Sequence, residues 1–255
     1  MRTCSPRAYS RQPGVILTGF MGFMHLMLRH DNYTEKLVRM GFLQKSHVLE
    51  DAVVASMPSK EKEDYYFELA MEASGVFLRV VMKPQPWVQR MVDDVLADAE
   101  AKYRIGFHIR MGNSGSAFKD SHVFLTKSAI WRFAERAEDV MKKEGKTTND
   151  TAWILSTDSN IAEEELRSKY GSMIVTATGY KRGHSKMGAK DADGFTRAVI
   201  DLLLLRRCNY LILTSHSTYS VMARTIAGSG VPFYNMPSHG YSRVCSNKEA
   251  NDTSI

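Results

Sequence analysis

Two hydrophobic rhythms divide the 255-residue chain. From Pro86 onward, short runs that are apolar at nearly every position alternate with stretches whose apolar residues fall three and four apart. The runs are "RIGFHIR" (104–110), "AWILSTD" (152–158), "MIVTAT" (173–178), "YLILTS" (210–215) and "VPFYN" (231–235). Continuous apolar runs of this length predict strands buried on both faces, and the intervening stretches predict amphipathic helices. Pro86 opens the first helix, with Val88, Met91, Val92, Val95 and Ala99 on its apolar face. A second helix carries Val123, Ile130, Phe133, Ala137 and Val140, and a short one is rich in Glu163, Glu164 and Glu165. After a long loop (179–193) comes the almost wholly apolar "RAVIDLLLLRR" (197–207), and a last helix runs from Ser217 to Ala227. Strand and helix in alternation predict an α/β fold, a Rossmann-like parallel sheet covered on both faces.

The first third has a different texture. Residues 34–75 read as helices with loops between, closed by Gly75, with Tyr65, Tyr66, Leu69 and Ala70 at helical spacing. The linker Lys83-Pro84-Gln85-Pro86 cannot continue a helix, so the expected division is a mostly helical region 1–84, a sheet domain 85–245 and a disordered polar tail 246–255.

Composition narrows the class only a little. The apolar fraction of 44% suits a soluble chain with a real core, and the net charge of +6 favours anionic partners. Lysines and arginines are mixed with acids throughout, so there is no basic stripe of the kind that binds nucleic acid. Cys4, Cys208 and Cys245 form no C-x-x-C pair, which argues against a zinc site and a disulfide framework. The apolar run Gly14 to Leu28 contains His25 and is too short to span a membrane. Sequons at Asn32, Asn149 and Asn251 suit a secreted or Golgi-lumenal chain.

In an open parallel sheet, ligands bind at the carboxyl ends of the strands. That rule selects His108, Arg110 and Gly112 after the first strand, Ser156, Thr157 and Asp158 after the second, and Thr214, Ser215, Ser217 and Thr218 after the fourth. Ser217 and Thr218 begin a helix, where free N–H groups and the dipole favour an anion; equally, Ser217 is a routine helix cap. Arg110 offers planar paired donors suited to phosphate, or an ion pair with a carboxylate. His108 is either a site residue or a hydrogen-bonded core histidine. Asp158 either accepts hydrogen bonds from a base or sugar or caps the Glu-rich helix. Asp201, alone among leucines, needs a partner: Arg197, Arg206 or a ligand donor. Neither G-x-x-x-x-G-K-S/T nor G-x-G-x-x-G is present, which sets aside P-loop and dinucleotide chemistry.

"IGFHIR", "WILSTDS" and above all "DLLLLRRCNYLILTSHSTYSVMA" resemble, in order and spacing, the donor-binding domain of GDP-fucose-dependent fucosyltransferases. These are the enzymes that include core α1,6-, plant xyloglucan and protein O-fucosyltransferases. The resemblance covers roughly the last two-thirds of the chain. It implies the C-terminal half of a GT-B-like glycosyltransferase and an inverting transfer of fucose from GDP-fucose to a glycan or glycoprotein, with no metal or other cofactor. Arg110 would bind the β-phosphate with His108 in support. Ser217 and Thr218 would contact the diphosphate or fucose, Asp158 and Asp201 would sit near the nucleoside, and Ser215 and Gly112 would also belong to the donor site. The chain departs from the H-x-R-R-x-D pattern of many relatives, with Met111, Gly112 and Asn113 after Arg110. In the loop 179–193, Lys181, Arg182, His184 and Ser185 stand where relatives place a variable segment over the donor, either as further phosphate contacts or as a basic lid. Residues 1–84 resemble only the end of an acceptor domain, so the resemblance names no general base. It equally admits an inactive sugar-nucleotide-binding domain.

Overall fold

The computed structural model describes residues 33–43, 45–81, 83–99, 102–112, 123–183, 191–228 and 230–238. The expectations for the run 14–28, Asn32, Cys4, Asn113, His184, Ser185, Cys245, Asn251 and the tail 246–255 lie outside them. The chain divides into two compact units, one of residues 1–83 with 225–230, the other of residues 84–224 with 231–255.

In the first unit, α1 (Tyr33–Arg39), α2 (Asp51–Ser56) and α3 (Ser59–Val81) are helical. Leu37, Leu43, Leu69, Ala70 and Ala73 form its small core. Gly75 does not close a helix as expected but lies inside α3, because the carbonyl of Thr225 passes where a side chain would be: a Cβ there would sit 2.3 Å from that oxygen. The glycine is kept for close approach, not for a turn.

The second unit holds α4 (Pro86–Leu96), β1 (Tyr103–Ile109), α5 (Ala129–Lys143), β2 (Thr151–Thr157), α6 (Asn160–Tyr170), β3 (Ile174–Val175), α7 (Ala192–Arg206), β4 (Tyr210–Thr214), α8 (Thr218–Ala227) up to Arg224, its last residues counting with the first unit, and β5 (Phe233–Met236). All five strands are parallel, in the order β3-β2-β1-β4-β5. The order reverses at β1: β2 and β3 are added on one side, β4 and β5 on the other. Such a reversal opens a crevice between the carboxyl ends of β1 and β4, the place where α/β sheets bind ligands.

Alternate residues of β1 face opposite layers. Ile105, Phe107 and Ile109 enter a core with Ile130, Phe133 and Ala137 of α5 and Leu166 of α6, where Phe107 stacks at 5.1 Å from Trp153. Full burial of side chains this size stabilises by about 1.5–3 kcal/mol each. Gly106 faces the other layer, where α7 packs so close that a Cβ would meet Leu211, Cys208 and Leu205 at 2.7 to 2.9 Å.

Three expected elements differ from those observed. The run 173–178 contributes only Ile174 and Val175 to the sheet, because Met173 belongs to a 3₁₀ turn from Gly171 and β3 is an edge strand with one neighbour. Val123 lies ahead of α5, exposed and bridged to Gly112, and not on the helix face. The loop expected over 179–193 ends earlier, since Asp191 accepts from Gly194 N at 3.0 Å and caps α7.

Candidate functional site

The crevice is built from the ends of β1, β2 and β4 and the start of α8. Arg110 follows β1 directly, and its backbone N–H donates to Thr214 Oγ1 at 3.0 Å while that hydroxyl donates to the carbonyl of His108 at 2.7 Å. Thr214 thus locks the end of β4 to the end of β1. On the other side, Thr157 Oγ1 donates to the carbonyl of Ile109 at 2.8 Å. Arg110 therefore leaves the sheet from a backbone fixed on both flanks.

Asp158 does not cap the Glu-rich helix, one of the two roles its position suggested. The cap of α6 is Ser159, whose hydroxyl accepts from Ala162 N at 3.2 Å. The Asp158 carboxylate instead accepts from Met111 N at 2.8 Å and Gly112 N at 2.9 Å, and lies 3.3 Å from Arg110 Nη1. Burial raises its pKa, and the Arg110 charge and the two N–H donors offset only part of that. One acid thus holds the turn after β1, where Gly112 takes a φ of +66°, and orients the arginine. The Arg110 guanidinium also lies 5.6 Å from the centre of the Phe124 ring.

His108 is buried, with Nδ1 2.6 Å from Ser220 Oγ and its ring 4.7 Å from that of Tyr219. Burial, aided by the nearby Arg110 charge, lowers its pKa to about 3, so the ring is neutral at physiological pH. Asp201 pairs with Arg197, one turn earlier on α7, at 2.8 Å in a buried contact. Burial raises the Asp201 carboxyl to about 6 against the pull of Arg197, Arg182 and the Ser156 hydroxyl. Ser156 also hydrogen-bonds Tyr219, whose hydroxyl donates to the carbonyl of Ala198 at 2.7 Å. One polar network therefore joins β2, α7 and α8 beneath the crevice.

Between β4 and α8 the chain turns through His216, a non-glycine residue at φ +60°, with Nδ1 3.2 Å from Ser238 Oγ. Ser215 N donates to the carbonyl of Met236, and the carbonyl of Ser217 accepts from Val221 N, so Ser217 joins the first turn of α8. Ser217 is buried and Thr218 exposed at the helix start. Arg182, read from sequence as a phosphate contact or lid, is occupied elsewhere: it donates to the carbonyl of Thr157 at 3.0 Å and binds Asn160 and Glu163. Glu163 stays below its ordinary range because hydrogen bonds from Arg167 and Arg182 outweigh its burial. Lys181 is exposed.

Sequence reasoning missed Tyr219, Ser220 and His216. The first two sit on the sheet-facing side of α8, one and two residues beyond the Ser-Thr pair, where any small or aromatic residue reads as core. Among the described residues no cluster of His, Cys, Asp and Glu is arranged to hold a metal, and no helix is long and apolar enough to cross a membrane.

A family model described as Nodulation protein Z (NodZ) matches residues 71–251. Among solved structures, the fucosyltransferase NodZ from Bradyrhizobium is 16% identical, with 65% of this chain and 46% of that one covered and a TM-score of 0.39. A NodZ alpha-1,6-fucosyltransferase co-crystallized with GDP aligns over 66% and 46% at 16% identity and a TM-score of 0.39. The same enzyme soaked with GDP-fucose aligns over 72% and 52% at 16% identity and a TM-score of 0.40. The chain thus spans about half the length of these solved relatives. Comparison with curated protein sequences returned no match.

Proposed function

The chain belongs to the NodZ family, and from that premise we propose that it binds GDP-fucose at the β1–β4 crevice and acts as an inverting, metal-independent fucosyltransferase. The observation that carries the reading is Arg110, held by Asp158 at the point where strand order reverses, with its backbone bound to Thr214 at the end of β4. As the sugar–phosphate bond breaks, negative charge grows on the departing diphosphate. A guanidinium and the N–H groups and hydroxyls of Ser217 and Thr218 stabilise that charge more than the ground state, which is the condition for catalysis. Neutral His108 supports the site without adding a competing charge. The Arg197–Asp201 pair and Ser156 line the nucleoside side. The acceptor is a glycan or glycoprotein, and the sequon at Asn149, on an exposed stretch before β2, favours the secretory lumen as the place of action.

A second reading, donor binding without turnover, is favoured by Met111. Where many fucosyltransferases carry a second arginine, this residue is wholly buried in the sheet core and brings no charge to the crevice.

Calorimetric titration of GDP, GDP-fucose, UDP and UDP-glucose tests the proposal beside Arg110→Ala. The expectation is binding of the two guanine nucleotides, weakened about 10- to 100-fold in the variant, as the loss of charge-assisted hydrogen bonds implies. Equal binding by the variant, or none by the parent, contradicts it. Release of GDP from GDP-fucose in the presence of acceptor glycans separates turnover from binding alone.

A further inference from the structure

We propose that Phe124 is a positioning residue of the crevice, whose ring supports the Arg110 guanidinium and so sets where that charge stands against the diphosphate. The inference rests on the donor-site reading above. The guanidinium lies over the Phe124 ring, 5.6 Å from its centre, while Asp158 meets Nη1 at 3.3 Å. Two of its neighbours are thus of opposite chemistry, a carboxylate and an aromatic face.

Both neighbours are anchored on the same two residues. Asp158 accepts from the N–H groups of Met111 and Gly112. The segment that carries Phe124 takes the other peptide groups of that turn: Phe124 N donates to the carbonyl of Met111 at 3.1 Å, and Val123 forms an antiparallel bridge with Gly112. Leu125, the next residue, is wholly buried in the same core as Met111, and Phe124 is partly buried against that core. A ring fixed by its own backbone and by the core is a firm support for a side chain as long as arginine.

The two supports do different work. A carboxylate holds a guanidinium by taking N–H donors and offsetting its charge, the two properties that bind a diphosphate. An aromatic face attracts the same cation through its quadrupole, takes no donor and leaves the charge in place. Phe124 therefore suits an arginine that must be placed before a nucleotide arrives and must still bind it. A side chain placed in advance loses less freedom on binding, which raises affinity without any new contact. Leucine at 124 would still pack against the core but would supply no such face. Phe124 acts through Arg110 and touches no substrate itself.

A double-mutant cycle on the full chain tests the assignment, with GDP as the probe in calorimetric titration. Phe124→Leu should weaken GDP binding about three- to tenfold, the worth of one cation–π contact. Phe124→Tyr keeps the ring and binds like the parent. In the Arg110→Ala background Phe124→Leu has no further effect, because the ring acts through the arginine. An undiminished effect in that background means that the ring meets the nucleotide directly or serves packing alone, and overturns the proposal. A Phe124→Leu variant that binds GDP like the parent overturns it too. Urea unfolding of the same proteins confirms that each folds and reads the contact without nucleotide: the midpoint shift of the double variant falls short of the sum of the single shifts. Additive shifts overturn the contact. Non-additive shifts in a protein that binds no GDP support the placement of Arg110 by Phe124 and overturn the nucleotide reading instead.

Discussion

Replacing Asp158 by alanine tests whether one carboxylate organises the site. In the native protein its oxygens accept from Met111 N and Gly112 N and pair with Arg110, whose side chain is 18% exposed against 5% for the acid. Truncation strands two N–H groups beneath the crevice, each costing about 1–3 kcal/mol when left unpaired. It also breaks a nearly buried ion pair, a change that typically costs about 3–5 kcal/mol. These terms describe the same atoms and do not add. Burial already raises the Asp158 pKa, so part of the loss is returned as relief from desolvation. The net expectation is destabilisation by about 3 kcal/mol, with Asp158→Asn, which keeps one acceptor, near half of that. Urea unfolding at neutral pH followed through the fluorescence of buried Trp153 supplies the measurement, and GDP binding is lost along with the support of Arg110. An Asp158→Ala variant within about 0.5 kcal/mol of the parent at unchanged denaturant slope refutes the reasoning, since that is the range of surface substitutions.

Further expectations concern the two buried titrating groups and the close packing of β1. The folded-state pKa of His108, about 3 against an ordinary 6.5, means that the unfolded chain binds the extra proton first; its contribution is complete above pH 6.5 and is lost as pH falls toward 3. His108→Gln should therefore flatten the acid side of a stability–pH curve by several kcal/mol, and an unchanged curve would contradict a buried neutral imidazole. Asp201 runs the other way: with its folded pKa raised from 3.8 to about 6, its contribution is greatest below pH 3.8 and is lost as pH rises to 6, which Asp201→Asn should remove. Gly106→Ala places a methyl under 3 Å from Leu211, Cys208 and Leu205 and should destabilise by about 1–3 kcal/mol, read as a lowered midpoint of thermal unfolding.

Much of the sheet was legible because parallel strands, buried on both faces, leave an uninterrupted apolar signature. β1 and β2 were each placed within one residue of their ends. The order of strands, and hence the crevice, rests on pairing between residues a hundred positions apart, which no local pattern encodes. The same limit separates the site residues. Arg110 and the start of α8 were visible as strand-end chemistry. That Asp158 serves the turn after β1 and not the helix it precedes depends on β2 lying beside β1 in that register. Arg182 looked like a mobile base in sequence, yet Asn160 and Glu163 on α6 take its donors. Ser220 gave no signal, because its partner His108 lies 112 residues away along the chain. Gly75 misled for the opposite reason: glycine's usual meaning near a helix end was overridden by a carbonyl from another element of its unit.

A crystal structure of the chain with GDP bears most directly on the central claim. The diphosphate is expected between Arg110 and the first turn of α8, within hydrogen-bonding distance of the guanidinium, with Asp158 still bound to Met111 and Gly112. A nucleotide seated away from the carboxyl ends of β1 and β4, with the Arg110 guanidinium in contact with protein groups alone, would contradict it.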